Sequence, residues 1–187
     1  MADVRLPMEQ RVPVAGVTRT LAIAAAGWLL TLAVVGDAFA QSSPASGDRY
    51  FIDFRARRST YIGHTYITYY RTDGAGRVTE EHVAGLIPEE NVWHGMFSPI
   101  RAAIRKYKDD NRLPVTVSYR RELTAAEFNR VGRAVHMLKA NERRWHLIFY
   151  NCNDFAIEIA EALGMRRPPS LLPPSVWVGS LRALNER

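Results

Sequence analysis

Cysteine is nearly absent from this 187-residue chain, in which Cys152 is the sole example. A disulfide within the chain is therefore excluded, and so is a zinc site built from several thiolates. None of the five histidines has the spacing to another histidine, a cysteine or a carboxylate that is typical of a metal site. Glycine-rich phosphate loops, internal repeats and low-complexity blocks are missing too, so we expect neither a metal nor another cofactor.

Long apolar runs are also missing. The run from Leu21 to Val35 has 15 residues, whereas a membrane-spanning helix needs about 20. It follows a region whose basic residues are Arg5, Arg11 and Arg19, and it precedes Ala38-Phe39-Ala40. This layout is typical of a secretory signal peptide, so we predict cleavage after residues 1–40 and a periplasmic or secreted mature protein. The alternative is an uncleaved N-terminal membrane anchor with an exported domain.

The rest of the chain has the length of one domain. Residues 41–47, Gln-Ser-Ser-Pro-Ala-Ser-Gly, are expected to form a flexible linker, and residues 48–187 a single domain with a proline-rich C-terminal tail. The first 40 residues hold three basic and three acidic side chains, so the net charge of +6 belongs to the mature part. That charge permits weak binding to anionic surfaces, although the basic residues are dispersed, and export makes nucleic acid the least expected partner.

The pattern of residue types predicts an α+β domain with a small antiparallel sheet packed by helices. Aromatic and β-branched residues indicate strands at 49–54, 60–70 and 78–84, with a glycine-rich turn at 72–76 between the last two. Ser98-Pro99 favours a helix that continues to Tyr107. A strand at 114–119 and a helix from the Thr124 capping box to about Asn141 follow.

The C-terminal third predicts a strand at 146–150 and a helix from Cys152 to Leu163, which Gly164 is placed to cap. Four prolines, at 168, 169, 173 and 174, argue against a long helix beyond it. Apolar residues among them, including Leu171, Leu172 and Trp177, indicate that the tail packs on the domain.

Cys152 is the candidate nucleophile because it is expected at a helix N-terminus, after Tyr150-Asn151. The positive end of the helix dipole favours a thiolate there, and the free N–H groups of the first turn can donate to an oxyanion. Tyr66, Asn151 and Asn153 are the further candidates for the cleft or for stabilising that oxyanion. A buried, inert cysteine is the alternative interpretation.

A cysteine nucleophile needs a base, and His64 is the preferred candidate. It follows Gly63, where a backbone or a substrate can approach closely, and it lies in an aromatic and β-branched strand. The turn at 72–76 is expected to bring residues 81–85 opposite His64. We therefore take His82 as the first choice for the group that orients the imidazole, with Glu80 or Glu81 as the second.

Gly63-His64 followed by Asn151-Cys152-Asn153-Asp154-Phe155 resembles the circularly permuted, papain-fold thiol hydrolases related to NlpC-type cell-wall peptidases. The Asn-Cys-x-x-Phe motif is similar to that of PPPDE peptidases and of lecithin retinol acyltransferase-like proteins. PPPDE members commonly have histidine two positions after the cysteine, where this chain has Asp154. The resemblance implies a permuted papain-like fold in which Cys152 is the nucleophile, His64 the base and a polar residue of the next strand the orienter.

This resemblance implies an exported cysteine hydrolase, either an amidase or a peptidase, or an acyltransferase that works through an acyl-enzyme on Cys152. For an exported protein, the expected substrates are amides or esters of peptides, of the cell wall or of lipids. A non-catalytic binding or structural module on the same fold is the alternative.

Overall fold

The computed structural model describes residues 47–58, 62–107, 110, 113–141 and 143–186, which belong to one compact unit. They form six strands, all paired antiparallel, and three helices, so the α+β prediction is confirmed. The strands are β1 (Arg49–Arg57), β2 (His64–Thr72), β3 (Val78–Pro88), β4 (Ile100–Arg105), β5 (Val115–Leu123) and β6 (Arg144–Trp145). The helices are α1 (Ala125–Ala140), α2 (Cys152–Ala162) and α3 (Pro174–Asn185), and a short 3-10 turn covers His94–Met96.

The sheet has the order β5-β1-β2-β3-β4-β6, which places β1, β2 and β3 side by side at its middle. Arg57 of β1 faces His64 of β2, and Arg49 faces Thr72 at the opposite end of the pair. We call the end of β1, β2 and β3 with Arg57, His64 and Pro88 the cavity end. The opposite end, with Arg49, Thr72 and Val78, is the turn end.

The helices cover one face of the sheet and bury its apolar side chains. Helix α2 packs on β2 and β3, α3 packs on β1 and β5, and α1 packs against α2. Ile52 and Phe54 of β1 are fully buried on this face together with Trp177 of α3. Successive strand residues point to opposite faces, so Arg57, His64 and Tyr66 belong to the other face.

Several local predictions are confirmed. Thr124 and Glu127 form the predicted capping box at the start of α1, which ends at the C-cap Asn141. Gly164 follows α2 with a φ of +67°, and its N–H donates to the Glu161 carbonyl. This left-handed conformation is the one that favours glycine after a helix.

The predicted helix from Ser98 to Tyr107 is wrong, because residues 100–105 form strand β4. β4 pairs with β3 from Gly85↔Arg105 to Pro88↔Ala102. Ile100 and Ile104 are both buried, and a spacing of four suits one face of a helix and one face of a strand equally well. Residues 100–105 form a strand because their backbone can hydrogen-bond to the free edge of β3.

Two predictions for the C-terminal third are also wrong. A strand was expected at 146–150, but β6 is Arg144–Trp145, and a tight turn follows in which His146 forms an isolated bridge with Tyr150. The tail contains the 12-residue helix α3, which begins at Pro174 with Pro173 as its N-cap. Proline is tolerated at the first position of a helix, so these prolines start α3 rather than exclude it. Trp177 packs in the core as expected.

The predicted signal peptide, and all of the predicted linker except Gly47, lie outside the described residues. Within the described part of the chain, no helix combines the length and apolar character needed to cross a membrane.

Candidate active site

A cavity of about 380 Å³ opens at the cavity end of the sheet, and both Cys152 and His64 line it. The two residues are 88 positions apart in sequence. Residues of β1 and β3, the segments on either side of β4, and Trp145 of β6 complete the wall. The lining is Arg57, Ile62, Gly63, His64, Leu86, Ile87, Pro88, Glu90, Asn91, Val92, Tyr107, Trp145 and Cys152.

Cys152 is the first residue of α2, and Asn151 is the N-cap that places it there. The Asn151 side-chain oxygen accepts from the Asn153 N–H at 2.8 Å, and its amide donates to the Leu147 carbonyl at 2.9 Å. The Asp154 carboxylate accepts from the Asn151 N–H at 2.8 Å, which closes a capping box. Asn151 therefore fixes the start of the helix and does not line the cavity.

Asn153 joins α2 to two other parts of the fold. Its buried side-chain oxygen accepts from the Thr65 hydroxyl at 2.6 Å. Its amide donates to the carbonyls of Ser170 and Leu172 at 2.7 and 2.8 Å. These three bonds occupy the side chain, which is also absent from the cavity wall. The expectation that Asn151 and Asn153 belong to the cleft is thus replaced by a positioning role for both.

The Cys152 thiol is buried, and its pKa is raised above the ordinary value because burial disfavours the thiolate. The backbone N–H groups of Thr65, Cys152 and Asn153 act in the opposite direction and lower the pKa, but burial is the larger effect. The expected thiolate at the helix N-terminus is therefore not the resting state. At neutral pH the buried sulfur is a thiol.

His64 is the first residue of β2, and its ring is also buried. Burial, followed by the positive charge of Arg57, lowers the pKa of His64 to about 3, so the imidazole is neutral at pH 7. Its Nε2 atom has no hydrogen-bond partner among the described residues, and hence none in the Cys152 thiol. A buried polar atom without a partner is uncommon and calls for an explanation.

Two glycines allow close packing around this part of the sheet. Gly63 has a φ of +78°, and a Cβ there would lie 3.3 Å from the Arg57 carbonyl oxygen, which agrees with the close backbone approach expected at this position. Gly85 on β3 faces the His64 ring, and a Cβ there would lie 2.7 Å from Nε2. The ring therefore occupies the space that a side chain at position 85 would take.

Tyr66 lies on the same face as His64, as its spacing predicts. Their rings stack with centroids 5.9 Å apart and planes 9° apart. The Tyr66 hydroxyl donates to the Asp110 carbonyl at 3.5 Å, and the residue is not part of the cavity wall. Tyr66 thus supports the imidazole by stacking on it. The geometry favours this role over the predicted place in the cleft.

The expected register between β2 and β3 is wrong. Ala84 faces Ile67 and His82 faces Tyr69, so residues 81–84 do not lie opposite His64, and of the five predicted residues Gly85 alone lies against its ring. His82 points to the other face of the sheet, stacks on Tyr69 and bonds to Glu80 at 2.7 Å. Glu81 faces Tyr70, six positions along β2 from His64. None of the three proposed orienting residues, His82, Glu80 or Glu81, therefore reaches the imidazole.

The sequence did not reveal the polar pair beside His64. Arg57 Nε donates to Asp110 Oδ1 at 2.8 Å, with both side chains almost fully buried. The guanidinium also lies 4.8 Å from the centre of the Tyr107 ring, and Asp110 Oδ2 accepts from the Tyr107 N–H. Arg55 and Arg57 alternate with buried apolar residues in β1, and this alternation was the only local indication that charged side chains line one face of the sheet. The 53-residue separation of Arg57 from Asp110 gave none.

Among the described residues no group of three or more histidine, cysteine or acidic side chains is arranged to hold a metal ion. No family model, curated protein or solved structure matches this chain.

Proposed function

We propose that the protein is an exported cysteine hydrolase or acyltransferase with a permuted papain-like arrangement, in which Cys152 is the nucleophile and His64 the base. The observation that carries the proposal is the shared cavity. A buried thiol at a helix N-terminus and a neutral imidazole with an unsatisfied Nε2 line the same 380 Å³ space. The antiparallel sheet, with the histidine strand before the cysteine helix, is consistent with it.

A general-base mechanism starts from a neutral imidazole and a thiol, and both groups are neutral at pH 7. The lowered pKa of His64 makes it a weak base, so the mechanism requires substrate binding to raise that pKa toward neutrality. The imidazole takes the thiol proton as the sulfur forms a bond to the carbonyl carbon of an amide or ester. The imidazolium returns that proton to the leaving amine or alcohol as the C–N or C–O bond breaks. Water or an acceptor, deprotonated by His64, then attacks the thioester and releases Cys152.

During attack by the sulfur, negative charge develops on the carbonyl oxygen, which needs a hydrogen-bond donor nearby. The Asn153 N–H is already held by the Asn151 side chain, so the backbone donor proposed for a carbonyl oxygen that becomes negative is the Cys152 N–H at the start of α2. His64 and Cys152 share the cavity without a hydrogen bond from Nε2 to the thiol, so the two side chains must approach each other before Nε2 can take the proton. Catalytic hydrogen bonds are often formed only once substrate is bound.

Acylation by a chromogenic ester tests the assignment. We expect p-nitrophenyl acetate to acylate Cys152, detected as an acetyl adduct on the Cys152 peptide by mass spectrometry. The Cys152→Ala variant should lose the adduct. The His64→Gln variant should slow its formation roughly 10²–10⁴-fold, the usual contribution of a general base. His82→Gln is the matched control and should react at the wild-type rate.

Equal rates in wild-type protein and His64→Gln would contradict the role of the imidazole. A folded wild-type protein that no acyl donor modifies at Cys152 would favour the second candidate, a non-catalytic binding module. The raised pKa of Cys152 and the missing Nε2–thiol bond favour that candidate. A ligand that raises the melting temperature without being turned over would then identify it.

The exported location is part of the proposal and rests on residues 1–40. Expression of the full chain in a bacterial host is expected to yield a periplasmic protein whose N-terminal residue is Gln41. A protein that keeps residues 1–40 and sediments with membranes would instead support the N-terminal anchor.

A further inference from the structure

An exposed apolar surface adjoins the cavity. It consists of four large side chains in two turns: Trp93 and Phe97 around the 3-10 turn, and Ile148 and Phe149 in the turn after β6. Phe97 is 87% exposed and Phe149 76% exposed. We call these four residues the apolar rim. Large exposed apolar side chains grouped on neighbouring turns are costly in water and are typical of interaction sites.

The two turns of the apolar rim are fixed to each other and to the cavity wall. The Leu147 N–H donates to the Gly95 carbonyl at 3.0 Å. Gly95 lies so close to the Trp145 ring that an added Cβ would overlap it. Trp145 and Val92 line the cavity, so the apolar rim lies beside the cavity.

Hydrogen bonds within the second turn hold its apolar side chains outward. The His146 Nδ1 atom accepts from the backbone N–H of Ile148 at 3.1 Å and of Phe149 at 3.4 Å. His146 itself is buried, and its ring packs on Phe149 with centroids 4.4 Å apart. The exposure of Ile148 and Phe149 is therefore a feature of an ordered turn.

Basic side chains flank the apolar rim. Arg101, Arg143 and Arg144 are exposed and line a second cavity of about 560 Å³ next to β4 and β6. Arg101 pairs with Glu90 and Arg143 with Glu158, both at 3.6 Å and at the exposed surface, so lipid phosphates compete with these carboxylates. Arg144 reaches the Pro99 carbonyl, two residues after Phe97. The net charge of the chain is +6. Aromatic side chains that enter the headgroup region, with arginines that reach lipid phosphates, form a common arrangement for binding an anionic membrane surface.

We propose that the apolar rim docks on an anionic lipid surface. Phe97 and Phe149 enter the headgroup region, and Arg101 and Arg144 approach lipid phosphates. The cavity then opens beside the membrane surface. This binding does not depend on turnover at Cys152, so it holds for the hydrolase and for the binding module alike.

Position-specific quenching by brominated lipids tests the proposal on the full chain. Tryptophan is introduced by Phe97→Trp or Phe149→Trp, with Val78→Trp as the matched control. Val78 is an exposed apolar residue at the turn end of β3, roughly 30 Å along the strand from Pro88 of the cavity wall. The vesicles contain phosphatidylcholine, with or without phosphatidylglycerol.

We expect the added fluorescence at positions 97 and 149 to be quenched on brominated vesicles that contain phosphatidylglycerol, and the added fluorescence at 78 to stay unquenched. The Arg101→Gln/Arg144→Gln double variant should need several-fold more anionic lipid for the same quenching. Because the readout reports position, insertion of residues 21–35 cannot imitate it. Equal quenching at all three positions would overturn the proposal. So would the absence of quenching at 97 and 149, which is the result expected if the apolar rim binds a protein instead of lipid.

Discussion

Each end of the central strands carries an arginine–carboxylate pair, and each half of the β2–β3 hairpin carries a histidine. At the cavity end Arg57 pairs with the buried Asp110, and His64 lies beside them without a partner for Nε2. At the turn end Arg49 pairs with Glu122, with more than half of each side chain exposed. Similar side chains thus lie in the protein interior at one end and in water at the other. The difference teaches that burial, rather than residue type, separates the candidate site from ordinary surface.

The ion pairs should show the largest contrast. Asp110→Ala leaves the Arg57 guanidinium buried without its carboxylate and removes the acceptor of the Tyr107 N–H. We expect a loss of about 3–5 kcal/mol in the free energy of unfolding, measured by chemical denaturation. Glu122→Ala breaks a bidentate but exposed pair and should leave the free energy of unfolding nearly unchanged. Equal losses in the two variants would show that burial is not the decisive difference.

The histidines should differ in how they couple stability to pH. The pKa of His64 is about 3 when folded and about 6.5 when unfolded, so between these values the unfolded chain binds more protons. Stability from neutral His64 is therefore present above pH 6.5 and is lost as the pH falls toward 3. From pH 7 to pH 4 this loss is about 3 kcal/mol.

His64→Gln should remove that part of the acid destabilisation, measured as the difference between denaturation midpoints at pH 7 and pH 4. His82→Gln, the matched control, alters an exposed ring bonded to Glu80 and should keep the wild-type pH dependence. An identical pH dependence in wild type and His64→Gln would mean that the imidazole is not held neutral by its surroundings.

Local signals predicted helix α1 and the two ends of α2 better than they predicted which residues meet at the cavity end. The Thr124 capping box, the Gly164 cap and the Asn151-Cys152 helix start each depend on neighbouring residues, and each formed as expected. The orienting residue depended on the register of β2 against β3, in which a small slip moves a side chain along the strand and can change its face. His82 failed for that reason.

The remaining differences arise from tertiary context. Ile100 and Ile104 fit a helix or a strand by spacing, and the edge of β3 selects the strand. The Arg57–Asp110 pair joins positions that no local pattern connects. The raised pKa of Cys152 also depends on burial, which outweighs the helix N-terminus that the sequence did indicate.

The smallest expected contrast concerns two glycines, and it tests whether the cavity end is packed around His64. In Gly85→Ala the new Cβ would lie 2.7 Å from His64 Nε2 and 3.0 Å from the Tyr66 Cβ, so the ring must move. Overpacking of this kind costs about 1–3 kcal/mol of unfolding free energy, and the displaced imidazole should also slow acylation of Cys152.

Gly132→Ala is the control in helix α1, where no described heavy atom outside the helix backbone lies within 4 Å of the added Cβ. It should stabilise the protein by up to about 1 kcal/mol, because alanine has the higher helix propensity, and leave acylation unchanged. If Gly85→Ala were neutral in both measurements, the space beside Nε2 would be open. The missing hydrogen bond would then reflect a free ring, and the case for a pre-positioned base would be lost.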